Sequence, residues 1–184
     1  MPRTASDPGP SVEVLRIGHR PGRDPRLTTH LALAARAFGA ERMYLSPPDP
    51  LIVERLAEVG RHWGGRFEVV GAPDWRLTLG EHAGGVVHLT MYGQPMARLL
   101  ARMKRRKSLL LVVGGAKVPS EMYQLADLNV AVGHQPHSEV AALAVLLDHL
   151  KGTPGPGAWP GAEQRIVPSA RGKQVRAGPG AFRR

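Results

Sequence analysis

The chain has 184 residues, no Cys, and 25 Lys and Arg against 15 Asp and Glu, for a formal charge of +10. With 42% hydrophobic residues it can bury a core, so disorder of the whole chain is excluded, and without Cys so are disulfides, thiolate metal sites and Cys nucleophiles. The cation excess, 20 of the 25 being Arg, points to a polyanion partner, nucleic acid first.

Residues 1–10 are Pro-rich and lack the apolar stretch of a signal peptide; 1–11 read as a flexible N-terminus. Residues 12–17 (VEVLRI) form a short β-rich run. A polar loop over 18–26 follows, and Thr28 or Thr29 is placed to cap a helix that reaches Phe38 and stops at Gly39. Residues 42–45 read as the next strand. The turn at Pro47, Pro48, Asp49 and Pro50 opens a helix with Ile52, Val53, Leu56 and Val59 at helical spacing. Gly64 and Gly65 end it, and 67–70 is a third strand. A short helix over 74–81 is capped by Asp74, a buried strand spans 86–89, and a loop covers 90–94.

Residues 95–106 read as a helix with a basic end. Residues 108–113 (SLLLVV) are the strongest strand, apolar throughout, as in a central parallel strand covered on both faces. A turn over 114–119 leads to a short helix at 120–126, a strand at 128–132, a loop at 133–137 and a helix at 138–150. The longest apolar run, 140–147, is well short of the roughly 18 residues a membrane span needs, so no membrane partner is expected. Residues 151–162 are a linker by composition, and the basic tail to 184 has room for one short strand at Ile166 and Val167. Six strands alternating with helices predict an α/β domain over 12–150, with a mostly parallel sheet, helices on both faces, and 151–184 as an extension.

Ligands of open parallel sheets sit at loops leaving the C-terminal ends of strands. Three such loops follow apolar strands here: 90–93, 114–119 and 133–139, all rich in Gly or Pro. Gly lets main-chain groups approach a ligand closely, which suits an adenine edge. The 114–117 segment lacks the spacing of a phosphate loop, and neither G-x-S-x-G nor G-x-G-x-x-G is present. His134 and His137 lack a third ligand nearby, so no metal is expected. Arg16, Arg20, Arg23 and Arg26 surround the first loop, where guanidinium forks suit phosphate contacts. Arg36 interrupts an otherwise apolar helix; it lies either on a solvent stripe with Thr29 and Ala32 or in a site.

Residues 15–38 (LRIGHRPGRDPRLTTHLALAARAF), 88–93 (HLTMYG), 129–147 (NVAVGHQPHSEVAALAVLL) and 166–175 (IVPSARGKQV) together resemble the archaeal tRNA (cytidine-56-2′-O)-methyltransferases of the SPOUT superfamily. The resemblance implies a SPOUT-type α/β fold with a C-terminal deep trefoil knot, a cytoplasmic homodimer with its active site near the subunit interface, S-adenosylmethionine as cofactor and tRNA as partner. Leu89, Gly114, Gly115, Ala116, Lys117 and Val118, with Val132, Gly133, His134, Gln135, Pro136, His137, Ser138 and Glu139, would line the cofactor site. Arg16, Arg20, Arg23, Arg26, Arg171 and Lys173 would contact RNA. Arg36 matches the superfamily's first-motif arginine, with His30 in its asparagine position. Arg36 would orient the ribose 2′-hydroxyl and stabilise its developing charge, with His30, His137, water or a phosphate as base. Ala116 stands where the family has Glu, and His134 where it has Asn. The competing readings are a non-catalytic RNA-binding protein on this scaffold and a SPOUT methyltransferase with another RNA target.

Overall fold

The structure is a computed structural model and describes residues 9–115, 117–153, 155, 157 and 159–181. Strands β1 (Ser11–Ile17), β2 (Arg42–Ser46), β3 (Glu68–Gly71), β4 (Gly85–Pro95), β5 (Ser108–Gly114) and β6 (Leu128–Ala131) form one parallel sheet in the order β3-β2-β1-β5-β4-β6. Helices α1 (Pro25–Ala37), α2 (Pro50–Trp63), α3 (Trp75–Glu81), α4 (Met96–Lys104), α5 (Met122–Leu125) and α6 (Glu139–Lys151) alternate with them.

The period of two along β5 explains why its sequence is apolar throughout. Leu109, Leu111 and Val113 enter a core shared with Val12, Val14 and the buried faces of α1, α2, α4 and α6. Leu110 and Val112 enter a second core on the opposite face, with Leu15, Ile17 and Met122, against which Trp75 and Leu79 of α3 pack. A strand flanked by helices on both sides has no face left for polar residues.

Helix α1 begins three residues before the expected caps. Pro25 occupies its first turn, where the missing N–H leaves no bond unmade. Thr28 is buried inside that turn, its Oγ1 2.9 Å from His19 Nδ1. The other His19 nitrogen lies 3.0 Å from Asp49 Oδ2, so this one buried imidazole ties the first loop to the starts of α1 and α2.

Strand β4 is longer than the sequence suggests. Leu89 and Gln94 both register against Val130 of β6, and residues 90–93 arch out between them. The loop read at 90–94 is therefore an interruption within one strand. Gly93 closes the arch directly over β6, where a Cβ would stand 2.6 Å from the Val130 nitrogen. The tail also differs from expectation. It forms two strands, β7 (Gln164–Ile166) and β8 (Val175–Ala177), paired antiparallel. Ahead of them, Trp159 lies over Gly65, whose N–H donates to the Pro160 carbonyl (2.9 Å).

Candidate active site

The C-terminal ends of β4, β5 and β6 open around a cavity of about 620 Å³. His88, Leu89, Thr90, Met91 and Tyr92 line it from β4, and Val113, Gly114, Gly115, Lys117 and Val118 from the end of β5. Val130, Val132, His137, Ser138, Glu139 and Ala142 close it from β6 and the start of α6, and Tyr123 of α5 completes the wall. This size, with apolar walls and a few polar groups, suits a small organic molecule. Gly114 is required by packing: a Cβ there would collide with Val118 Cγ2, which folds back over the strand end. At the mouth of α6, Ser138 Oγ accepts from the Val140 N–H (3.2 Å). His134 Nε2 lies 3.1 Å from the Gly93 carbonyl and so links the third loop to the arch of β4.

Arg16 lies beneath this cavity. The sequence placed it among the RNA-contacting cations, and the structure corrects that: the side chain is fully buried. Its Nη1 donates to the Gly114 carbonyl (2.6 Å) and lies 4.0 Å from Glu139 Oε1. One guanidinium thereby bridges the loop after β5 and the first turn of α6. Burial pushes its pKa down, and the Glu139 charge opposes that. The Arg16→Met variant is expected to bind cofactor about tenfold more weakly, the loss of one charge-assisted bond. If Arg16 instead made the RNA contact that the sequence resemblance implies, the variant would lower the salt dependence of nucleic-acid binding, which burial predicts it leaves unchanged.

His88 is a site residue that the sequence reading passed over. It is buried on the α5 side of the sheet, in edge-on contact with the Tyr123 ring at 4.9 Å. Its Nδ1 donates to Asn129 Oδ1 (2.9 Å), and Asn129 Nδ2 donates to the Tyr123 carbonyl (2.8 Å). The network fixes α5 against β4 and β6. Burial pushes the His88 pKa below 6.5, with the Asn129 bond opposing. The folded state therefore disfavours the proton that the unfolded chain takes up near pH 6.5. Stability is expected to fall as pH drops below that value, by at most about 1.4 kcal/mol per pH unit. Thermal unfolding from pH 7.5 to 5 measures this, and His88→Gln should flatten the profile.

Of the residues expected to hold cofactor, Leu89, Gly114, Gly115, Lys117, Val118, Val132, His137, Ser138 and Glu139 come together at the cavity. Gly133, His134, Gln135 and Pro136 stand outside its lining, and Ala116 lies outside the described residues. Arg20, Arg23, Arg26, Arg171 and Lys173 are exposed. Arg20 also makes a bidentate pair with Asp24 (2.8 and 2.9 Å), and this bond holds the Asp24 carboxyl below its ordinary pKa. The loop carrying Arg20 and Arg23 reaches the cavity rim, since the Gly115 N–H donates to the Ile17 carbonyl (3.1 Å).

Arg36 and His30 do not line the cavity. His30 is exposed on α1. Arg36 sits in the last turn of α1, at the opposite edge of the sheet, where β1, β2 and β3 begin. Its Nη2 donates to the Gly64 carbonyl (2.7 Å), and its guanidinium stacks 4.4 Å from the Trp159 ring centroid. Glu13, Glu41, Arg42, Phe67 and Glu68 share that edge with it. Of the two expectations for Arg36, the simple solvent stripe does not hold, because the docked tail covers it.

Residues 63–176 match the sequence profile of the tRNA ribose 2′-O-methyltransferase family, aTrm56. The tRNA (cytidine(56)-2′-O)-methyltransferase of Archaeoglobus fulgidus is 49% identical over 164 residues, covering 89% of this chain and 97% of its own. The chain belongs to the tRNA (cytidine(56)-2′-O)-methyltransferase family. Solved structures share the fold at lower identity. A protein assigned to the TrmH family of RNA methyltransferases from Porphyromonas gingivalis superposes with a TM-score of 0.56 at 15% identity, over 80% of this chain and 62% of that one. An AdoMet-bound rRNA methyltransferase from Sinorhizobium meliloti gives 0.53 at 17% identity, over 78% and 57%. This chain thus spans about three fifths of each of those proteins. What these proteins share with this chain is an α/β fold built on a mostly parallel sheet flanked by helices.

Proposed function

We propose that this chain transfers a methyl group from S-adenosylmethionine to the ribose 2′-hydroxyl of cytidine 56 in tRNA. The observation that carries this reading is the cavity itself. In a member of this family, three strand-end loops enclose about 620 Å³ next to an Arg-bearing loop. The residues present fit the cofactor. Leu89, Val113, Val130 and Val132 offer apolar wall, and Thr90, His137 and Ser138 set polar groups among them.

Bound there, S-adenosylmethionine would supply a methyl activated by a sulfonium, which leaves as the thioether when the C–S bond breaks. The chain's own residues do the rest. The loops at 89–91, 114–118 and 132–139 hold the donor and exclude water. Arg20, Arg23, Arg26, Arg171 and Lys173 hold the RNA backbone. Arg36 orients the hydroxyl and stabilises negative charge on its oxygen as the O–C bond forms and the proton leaves. As the hydroxyl's base, His30 and His137 are the candidate side chains.

We further infer a homodimer. Its support is twofold: Arg36 and the cavity lie at opposite edges of one sheet, and α6 leaves Ala141 and Val145 facing outward, a small apolar surface of the kind that pairs between copies. The knot is proposed for the second half of the 12–150 domain. Its support is the strand order, in which β6 lies at the edge beside β4 rather than beside β5. Residues 151–184 are proposed as a docked basic extension. A cytoplasmic setting follows from tRNA as substrate; among the described residues no helix is long and apolar enough to cross a membrane.

The test is methyl transfer to an unmodified tRNA transcript followed by alkaline hydrolysis. A 2′-O-methyl group blocks cleavage at its own nucleotide, so one resistant linkage at position 56 is expected. Resistance elsewhere, or none, refutes the reading.

A further inference from the structure

The C-terminal hairpin carries an electrostatic conflict that the chain does not resolve. Its register sets Arg165 of β7 directly across from Arg176 of β8. Directly opposed side chains lie about 5 Å apart at Cβ, where like charges work against pairing. Among the described residues neither guanidinium has a carboxylate within ion-pair distance. The one acid of the segment, Glu163, is already held 3.0 Å from His62 Nδ1.

Apolar burial does not compensate. Ile166 is 64% exposed and Val175 37%, and every residue of both strands is exposed. A two-stranded ribbon with neither face covered is marginal in water. Yet its base is firmly built. The Gly178 N–H donates to the Glu163 carbonyl (2.8 Å) and the Gly180 N–H to the Ala162 carbonyl (2.7 Å), and Ala162 is fully buried. Beyond the strands, the Val167 N–H donates to the Gln174 carbonyl (3.0 Å), and Ser169 Oγ donates to the Arg171 carbonyl (2.9 Å). The hairpin therefore holds like charges together on an ordered arm that projects into solvent.

We propose that Arg165 and Arg176 clamp one backbone phosphate of the RNA substrate. An anion between them turns their repulsion into two charge-assisted hydrogen bonds. Arg171 and Lys173, in the connecting loop, continue the cationic track. The clamp reads no base, because phosphate contacts position a nucleic acid without carrying sequence information. This inference rests on RNA being the substrate, as proposed above, and adds two residues that the sequence reading did not select.

The test uses the full chain, an unmodified tRNA transcript and a salt series. Arg165→Thr and Arg176→Thr should each weaken tRNA binding about five- to tenfold at low salt and lower the slope of log K against log salt by about one. Thermal midpoints should hold or rise, since the like-charge pair is relieved; a purely structural role would lower them. Cofactor affinity should match the wild type, since neither residue lines the cavity. R165E should weaken binding further while stabilising the hairpin. Wild-type salt slopes in these variants overturn the clamp. So does loss of binding to phosphatidylserine vesicles with tRNA binding intact, which would assign the arm to a membrane surface. A wild-type protein that binds tRNA with the clamp's salt slope but transfers no methyl refutes the proposed activity and leaves the clamp standing. A wild-type protein that does not bind tRNA refutes both.

Discussion

Subunits carrying Arg36→Ala, mixed in equal amounts with subunits whose cavity is blocked by Gly114→Val, are expected to recover about a quarter of wild-type methyl transfer. Each variant alone should be nearly inactive. In the role proposed for Arg36, Arg36→Ala should remove charge stabilisation worth a factor of about 10² or more in rate and leave cofactor affinity within a few-fold. Gly114→Val drives its side chain into Val118 and fills the cavity wall. The recovery follows from geometry. Helix α1 follows the loop that begins at Ile17, whose carbonyl takes the Gly115 N–H, and carries Arg36 eleven residues on from its start, about 16 Å along its axis, away from the cavity. One subunit therefore does not bring its own Arg36 to its own cavity. In the proposed homodimer, with Arg36 serving the partner's cavity, a mixed pair has one site with an intact cavity and an intact Arg36, while the other has neither. Half of the dimers form this way, and half of their sites work. Absence of recovery from two folded variants would show that Arg36 acts within its own subunit or only supports the tail. The second role is measured separately, since Arg36→Ala also removes the bond to Gly64 and the stacking on Trp159.

Gly93→Ala is expected to destabilise the fold by about 3 kcal/mol and to weaken cofactor binding more than tenfold. The new Cβ would meet the Asn129 carbonyl oxygen and the Val130 nitrogen, both at 2.6 Å. These are backbone atoms of a strand gripped twice by β4, so they have no room to retreat. Relief must come from the arch itself, and Met91 and Tyr92 of the arch line the cavity. Gly133→Ala is the matched control: nothing lies within 4 Å of its Cβ position, and its effect should stay below about 0.5 kcal/mol. Urea unfolding with cofactor titration separates the two. Equal stability of the two variants would remove the arch as a structural constraint.

Much of this was legible in local sequence, because it follows from short-range rules. Asp74 caps α3 as read, and Ser138 stands at the start of α6. The unbroken apolar run of β5 announced a strand covered on both faces. The burial of Arg16 is legible too: in VEVLRI it falls two residues after Val14 and four after Val12, on the same covered face. His88 is the complementary case. One residue beyond Val87, it turns to the other face, where Tyr123 and Asn129 wait 35 and 41 positions away. The cover on Arg36 comes from Trp159, more than 120 positions along, and no local pattern encodes it. The hairpin register was equally hidden, since Arg165 and Arg176 meet only once a turn brings them together.

The strand order has a consequence for the chain as it is made. Strand β1 pairs with β2 on one side and β5 on the other, and β5 lies about a hundred residues later. At usual ribosomal speeds that interval is about 5–20 s. Through it, the nascent chain offers the unpaired edge of a strand whose Val12, Val14, Leu15 and Ile17 are meant for burial. A ribosome-bound chain halted before residue 108 should therefore be a strong client for chaperones, and one extended past β5 a weak one.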